Sequence, residues 1–89
     1  MQKSLKSAEY ARLVAVLVAV RHETGMRQQA LAKKLGRPQS FVAKYEGGER
    51  RIDVIEFIAI ARALGADPLK LFEGFLAGMP SKLPRKRAS

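Results

Sequence analysis

Apolar residues recur at helical spacing along most of the chain, and glycines interrupt the pattern at regular intervals. The first periodic segment runs from about Ala8 to Thr24, with Ser7 as a suitable N-cap and Gly25 as a C-terminal stop. Its Val and Leu content would also suit a strand, but a segment of about 17 residues is too long for a typical strand. The pattern therefore predicts an α-helix.

Four further helices are predicted in the same way. The second helix covers about residues 28–35 and the third about residues 39–46. The fourth begins at Asp53, with Glu56 completing a capping box, and the fifth begins at Asp67-Pro68. The apolar residues assigned to these helices are Leu31, Ala32, Leu35, Val42, Tyr45, Phe57, Ile60, Ala61, Leu64, Leu69, Leu71, Phe72, Phe75 and Leu76. No pair of strands is apparent, so the sequence predicts an all-α bundle of five helices.

The chain of 89 residues has room for one domain, which we assign to residues 1–77. From Gly78 the composition shifts to Pro, Ser, Lys and Arg, so residues 78–89 are predicted to form a basic, disordered tail. An apolar run at Leu13–Val20 is too short to cross a bilayer, which requires about 20 residues. Charged residues bracket that run and no cleavage site follows it, so we expect a cytoplasmic protein without a membrane partner.

The net charge of the chain and its distribution indicate what kind of partner the domain binds. The chain has 17 basic and 8 acidic residues, a net charge of +9. Residues 27–51 carry +5 and residues 78–89 carry +4, whereas residues 52–77 carry −2. A basic surplus of this size in a small domain indicates a polyanionic partner.

Several functional classes find no support in the residues. The chain has no cysteine and one histidine, so neither a metal site nor a cofactor is predicted. No set of nucleophile, base and orienting residue appears, so we do not expect an enzyme. A membrane-surface protein would need a helix with one basic and one aromatic face, and an RNA-binding sheet would need interleaved aromatic residues. Both features are missing from the sequence.

The second and third helices are short and are separated by Gly36-Arg37-Pro38, which predicts a helix-turn-helix. Ala32 is small where the third helix would pack on the second, and Gly36 can take the positive φ that the turn needs. Val42 is then the inward anchor of the third helix.

The chain resembles the Cro/C1-type (XRE) helix-turn-helix transcription regulators from about Val18 to Phe72. The motifs that carry the resemblance are Gly25-Met26-x-Gln28, Leu31-Ala32-x-x-Leu35-Gly36, Gln39-Ser40-x-Val42-x-Lys44-Tyr45-Glu46-x-Gly48 and Ala61-x-Ala63-Leu64-Gly65-x-Asp67-Pro68. The resemblance implies a lambda-repressor-like bundle whose third helix reads the major groove of double-stranded DNA.

That family assigns DNA base readout to the positions of Gln39, Ser40 and Lys44, and the side chains suit the task. Glutamine can pair with adenine and lysine can donate to guanine, while serine can bond a base or a phosphate. Phe41 lies between these residues, where it either touches a thymine methyl group or packs on a neighbouring side chain.

Phosphate contacts are expected from residues that flank the motif. Gln28 matches the family glutamine at the start of the second helix, and Arg27 replaces the usual Ser or Thr cap there. Arg37 replaces a commonly apolar residue, and Pro38 a capping serine. The alternative is that the basic residues among them lie on a solvent-exposed face and contact no phosphate. The full set of expected phosphate contacts is Arg27, Gln28, Lys33, Arg37, Arg50 and Arg51.

Two further expectations concern structure and assembly. Arg21 and Glu46 match an ion pair that ties the first helix to the third in the family, and we expect the pair to be structural. Apolar residues that a five-helix core does not obviously bury form a candidate homodimer surface: Ile55, Ile58, Phe72 and Phe75. The alternative is that the core of a single chain, with the fifth helix folded over it, buries these four residues.

The leading hypothesis is a sequence-specific regulator, most often a repressor, that binds a palindromic operator as a homodimer. The second is an antitoxin-type protein that binds DNA in the same way and also covers a partner protein.

Overall fold

The computed structural model describes residues 7–78, and these fold into five α-helices without a strand. The helices are α1 (Ala8–Thr24), α2 (Gln28–Leu35), α3 (Gln39–Glu46), α4 (Val54–Ala63) and α5 (Pro68–Ala77). The all-α prediction and its five helices are confirmed. The predicted disordered tail lies outside the described residues, apart from Gly78.

Capping groups visible in the sequence mark the starts of α1, α4 and α5 and the ends of α1 and α2. The Ser7 hydroxyl accepts a hydrogen bond from the Tyr10 amide at 3.2 Å. Asp53 and Glu56 form the predicted capping box at the start of α4. Gly36 ends α2 with φ of 68°, a left-handed conformation that glycine adopts without strain. This residue sets the turn into α3.

The core lies where α1, α2, α3 and α4 meet. Its fully buried side chains are Leu17, Leu31, Val42, Tyr45 and Ile60. The α2–α3 pair packs against α4 and α1, while α5 packs against both α1 and α4. Burying a side chain of this size contributes about 1.5–3 kcal/mol, so the core holds the turn between α2 and α3 in a fixed geometry.

Phe75 belongs to the core of this chain rather than to its surface. It is 7% exposed, and the guanidinium carbon of Arg12 lies 5.4 Å from the centre of its ring. Arg12 Nη1 also donates to the Phe75 carbonyl oxygen at 3.4 Å. The expectation that Phe75 lies on the dimer surface is therefore wrong, because α1 covers the ring.

Within residues 7–78 no helix is long and apolar enough to cross a membrane.

Candidate nucleic-acid interface

Helices α2 and α3 form a helix-turn-helix around a tight glycine turn. The Gly36 amide donates to the Lys33 carbonyl at 3.1 Å, and the Arg37 amide donates to the Ala32 carbonyl at 3.0 Å. Ala32 and Val42 are buried as predicted, with exposures of 2% and 0%. Because both anchors are buried and the turn carbonyls are bonded, the direction of α3 relative to α2 is fixed.

One face of α3 is exposed and polar. Gln39, Ser40 and Lys44 all lie on that face, opposite the buried Val42 and Tyr45. Within the described part of the chain, these three exposed side chains make no hydrogen bond or ion pair. Their donors and acceptors are therefore available to a ligand.

The structure places Phe41 differently from its neighbours on α3. Its side chain is 6% exposed and meets Tyr45 edge to face, with the ring centres 5.5 Å apart. The guanidinium carbons of Arg37 and Arg50 lie 4.2 and 4.8 Å from the centre of the Phe41 ring. A ring enclosed in this way cannot reach a thymine methyl group, so of the two interpretations the packing one describes Phe41.

Arg21 and Glu46 form the ion pair that the sequence led us to expect. Arg21 Nε lies 2.7 Å from Glu46 Oε2, and Arg21 Nη2 donates to Glu46 Oε1 at 3.0 Å. Their side chains are 11% and 8% exposed. The bonds to Glu46 raise the pKa of the Arg21 guanidinium above its ordinary value. The pair thus joins the end of α1 to the end of α3.

Gln28 takes part in the same network. Its Nε2 donates to Glu46 Oε1 at 2.8 Å, and Arg21 Nη1 donates to the Met26 carbonyl at 2.8 Å. Gln28 is half-buried, and one of the two N–H groups of its Nε2 is bonded within the chain. The second N–H has no partner within residues 7–78, so it can donate to a phosphate oxygen without breaking the bond to Glu46.

The expected phosphate-binding cations fall into two groups in the structure. Arg27 and Lys33 are exposed and have no hydrogen-bonded partner within residues 7–78, and neither Arg27 nor Pro38 caps its helix with a side-chain hydrogen bond. Arg51 is exposed with its guanidinium carbon 4.6 Å from the centre of the Tyr10 ring. Arg37 and Arg50, by contrast, are both bonded to the carboxylate of Glu56.

Tyr10 and Glu56 are two positioning residues whose contacts the sequence did not reveal. The Tyr10 hydroxyl donates to the Arg50 carbonyl at 3.0 Å and accepts from the Ile52 amide at 3.2 Å. Burial raises the pKa of this hydroxyl above its ordinary value. For Glu56 the sequence predicted only its part in the capping box of α4. The partners of Tyr10 lie 40 and 42 residues away, and Arg37 lies 19 residues from Glu56, so only the orientation of the helices could have shown these contacts.

Helices α4 and α5, which lie in the part of the chain with net negative charge, expose an apolar surface. We call it the α4–α5 surface; its exposed members are Val54, Ile55, Leu69, Phe72 and Leu76. Ile58 is half-buried and lines a groove of about 360 Å³ between the two helices, together with Phe57 and Phe72. Two of the predicted dimer residues, Ile55 and Phe72, are thus exposed, at 72% and 42%.

No group of three His, Cys, Asp or Glu side chains within residues 7–78 is arranged to hold a metal ion.

Comparisons with known proteins agree with this geometry. The family model described as a helix-turn-helix domain matches residues 12–71. A solved XRE-family like protein from Pseudomonas syringae is 46% identical, with 82% of this chain and 89% of that chain covered and a TM-score of 0.79. The restriction-modification controller protein C.AhdI from Aeromonas hydrophila is 29% identical, with 74% and 100% covered and a TM-score of 0.67.

A more distant structure shares the fold. The restriction-modification controller protein C.Esp1396I is 22% identical, with 81% of this chain and 95% of that chain covered and a TM-score of 0.74. No curated protein matches the chain. The match over residues 12–71 and the 46% identity to an XRE-family like protein agree with the buried turn and the exposed face of α3. The chain belongs to the XRE family of helix-turn-helix, DNA-binding transcription regulators.

Proposed function

We propose that the protein is a repressor that recognises a specific double-stranded DNA sequence by placing α3 in the major groove. The observation that carries this proposal is the exposed face of α3, where Gln39, Ser40 and Lys44 have no partner within residues 7–78. An unpartnered polar side chain on a rigid helix can bond a base edge without first breaking a bond in the protein. Lys44 is suited to guanine and Gln39 to adenine.

Phosphate contacts on either side of the groove would come from Arg27, Lys33 and Arg51. All three are exposed and belong to the basic part of the chain, residues 27–51. The first amides of α2 and α3 are not capped by Arg27 or Pro38, so they can donate to phosphate oxygens as well. These contacts would position the protein on DNA without reading its sequence.

A homodimer is the assembly that the apolar α4–α5 surface supports. Ile55 and Leu69 are 72% and 65% exposed, and pairing with a second copy would remove this apolar surface from water. A two-fold dimer would place two copies of α3 about 34 Å apart and read a palindromic operator. C.Esp1396I, which shares this fold, forms a tetramer in complex with its natural 35 base-pair operator, so the fold is able to assemble on DNA.

Selection from a random pool of duplexes tests the recognition step. Wild-type protein, Lys44→Ala and Lys33→Ala are then titrated against the selected duplex and a random one. Both lysines are exposed, so both variants should fold. We expect Lys44→Ala to lose about 1–3 kcal/mol of discrimination. Lys33→Ala should weaken both duplexes alike and make the salt slope about 1 unit shallower.

Two results would count against recognition by α3. A wild-type protein that binds every duplex equally would exclude sequence-specific binding. Equal losses on both duplexes for Lys44→Ala would remove Lys44 from the residues that read bases.

Sedimentation of wild-type protein and Ile55→Glu tests the assembly. The wild type should be a dimer at micromolar concentration and the variant a monomer, because a buried carboxylate without a partner is costly. If the wild type is a monomer both with and without operator, the homodimer is wrong. The α4–α5 surface would then be open to a different protein, which is the antitoxin-type alternative.

A further inference from the structure

Glu56 binds two of the arginines that the sequence assigned to DNA phosphates. Its Oε2 accepts from Arg37 Nη2 at 2.9 Å and from Arg50 Nη2 at 3.1 Å. Its Oε1 accepts from Arg50 Nη1 at 3.0 Å and from the Asp53 amide at 2.9 Å. One carboxylate thus joins the α2–α3 turn, the α3–α4 loop and the first turn of α4.

The same two guanidinium groups cover the ring of Phe41, at 4.2 and 4.8 Å from its centre. The ring also meets the fully buried Tyr45 edge to face. Phe41 follows Gln39 and Ser40 directly in the first turns of α3. Holding the ring between the guanidinium pair and the core therefore fixes the rotation of α3 about its own axis, and with it the direction of the exposed face.

The Glu56 contacts also change how much positive charge is available at the turn. Two unpaired arginines there would offer two phosphate contacts on any DNA sequence, each worth about 0.9 unit of the slope of log K against log salt. Arg50 instead places both terminal nitrogens on Glu56 and one of them also on the Arg51 carbonyl. Arg37 places one of its two terminal nitrogens on Glu56. The ion pairs leave the turn with a smaller attraction to DNA of arbitrary sequence.

We propose that Glu56 is a specificity-determining positioning residue: it holds Arg37 and Arg50 on Phe41 instead of on the DNA backbone, and so orients α3 while lowering non-specific affinity. This inference rests on the proposed function, since discrimination between duplexes is the property that Glu56 would improve. It assigns Arg37 and Arg50 a role different from the phosphate contacts that the sequence suggested.

Glu56→Gln is the first test, because glutamine can still complete the capping box while it loses the charge. Glu49→Gln is the matched control. Glu49 is an exposed acid in the same loop as Arg50, and its side chain has no hydrogen-bonded partner within residues 7–78. Both variants raise the net charge by one, so a difference between them reports the contacts and not the charge.

For Glu56→Gln we expect stronger binding to a random duplex, a slope of log K against log salt that is steeper by about 1–2 units, and a ratio of specific to non-specific affinity that falls about tenfold. Glu49→Gln should shift both affinities by one common factor and keep the ratio. If the two variants match in ratio and slope, Glu56 has no positioning role and the inference is wrong.

Arg37→Gln is a second test that does not depend on how well Glu56→Gln folds. If Arg37 is a positioning residue, the variant keeps the wild-type salt slope on a random duplex while its affinity for the selected duplex falls. If Arg37 contacts phosphate, its slope becomes shallower by about 0.9 unit, as expected for Lys33→Ala, and the inference is overturned.

A DNA-free measurement separates this inference from the proposed function. Phenylglyoxal modifies accessible arginines, and mass spectrometry gives the rate at each site. Arg37 and Arg50 should react more slowly than the exposed Arg27 in the wild type, and should approach its rate in Glu56→Gln. Protection without DNA discrimination would overturn the proposed function alone, whereas rates equal to that of Arg27 in the wild type would overturn the inference alone.

Discussion

Replacing Glu46 by alanine should cost the protein a large share of its stability. The change removes the acceptor of three hydrogen bonds: those from Arg21 Nε at 2.7 Å, Arg21 Nη2 at 3.0 Å and Gln28 Nε2 at 2.8 Å. The side chain of Arg21 is 11% exposed, so the guanidinium would remain largely buried without its counter-charge. Breaking a buried pair by removing one partner costs about 3–5 kcal/mol.

The structure places the loss near the lower end of that range. Arg21 keeps its bond to the Met26 carbonyl at 2.8 Å, and it lies in the last turn of α1, where the helix dipole favours a positive charge. We therefore expect a loss of about 3 kcal/mol in the free energy of unfolding. A domain of this size has a total of about 4–13 kcal/mol at roughly 0.05–0.15 kcal/mol per residue, so the expected loss is between about a quarter and three quarters of the total.

Urea denaturation followed by far-ultraviolet circular dichroism measures this loss. Glu49→Ala serves as the control, because Glu49 is exposed and lies in the loop that follows α3. That change should stay within about 0.5 kcal/mol of wild type. The double variant Arg21→Met with Glu46→Leu should recover much of the lost stability, since an apolar pair can replace a buried ion pair. A loss for Glu46→Ala no larger than that for Glu49→Ala would refute the assignment of a structural pair.

Three further changes test other parts of the fold by the same measurement. Tyr45→Phe should raise the free energy of unfolding by up to about 2 kcal/mol, because the Tyr45 hydroxyl is buried and has no hydrogen-bond partner within residues 7–78. A loss of stability would show that the hydroxyl is hydrogen-bonded. Gly74→Ala should add about 0.5–1 kcal/mol, since Gly74 lies within α5 and an added Cβ meets no atom within 4 Å; destabilisation would indicate that α5 is packed more tightly there. The bonds from Arg50, the Asp53 amide and Arg37 lower the pKa of Glu56 from 4.5 to about 2, so the stability they give is present above pH 4.5 and is lost as the pH falls towards 2. Wild type should therefore lose stability more steeply than Glu56→Gln over that interval, and parallel pH profiles would contradict the ion pairs.

The bounds of α1, α2 and α3, and the starts of α4 and α5 to within one residue, could be predicted because they depend on local chemistry. Ser7 and Asp53 bond amides three residues away, and Gly25 and Gly36 take left-handed conformations that end the helices before them. Such signals lie within one turn of the chain and are independent of the rest of the fold. The inward position of Val42 followed in the same way, from the helical period alone.

The contacts of Arg12 and Arg37 are not local, and the sequence could not supply them; the Arg21–Glu46 pair was expected only because the chain resembles a family that has it. Arg37 meets Glu56 across 19 residues and Arg12 meets Phe75 across 63. Both contacts depend on how separate helices cross, which composition and periodicity leave open. A basic residue beside a recognition helix is equally suited to a phosphate and to a nearby carboxylate, and the choice depends on the position of an acid elsewhere in the fold. Net charge therefore overstates the cationic surface at the turn, where one carboxylate binds two of the arginines, whereas Arg27, Lys33 and Lys44 are exposed without a partner within residues 7–78.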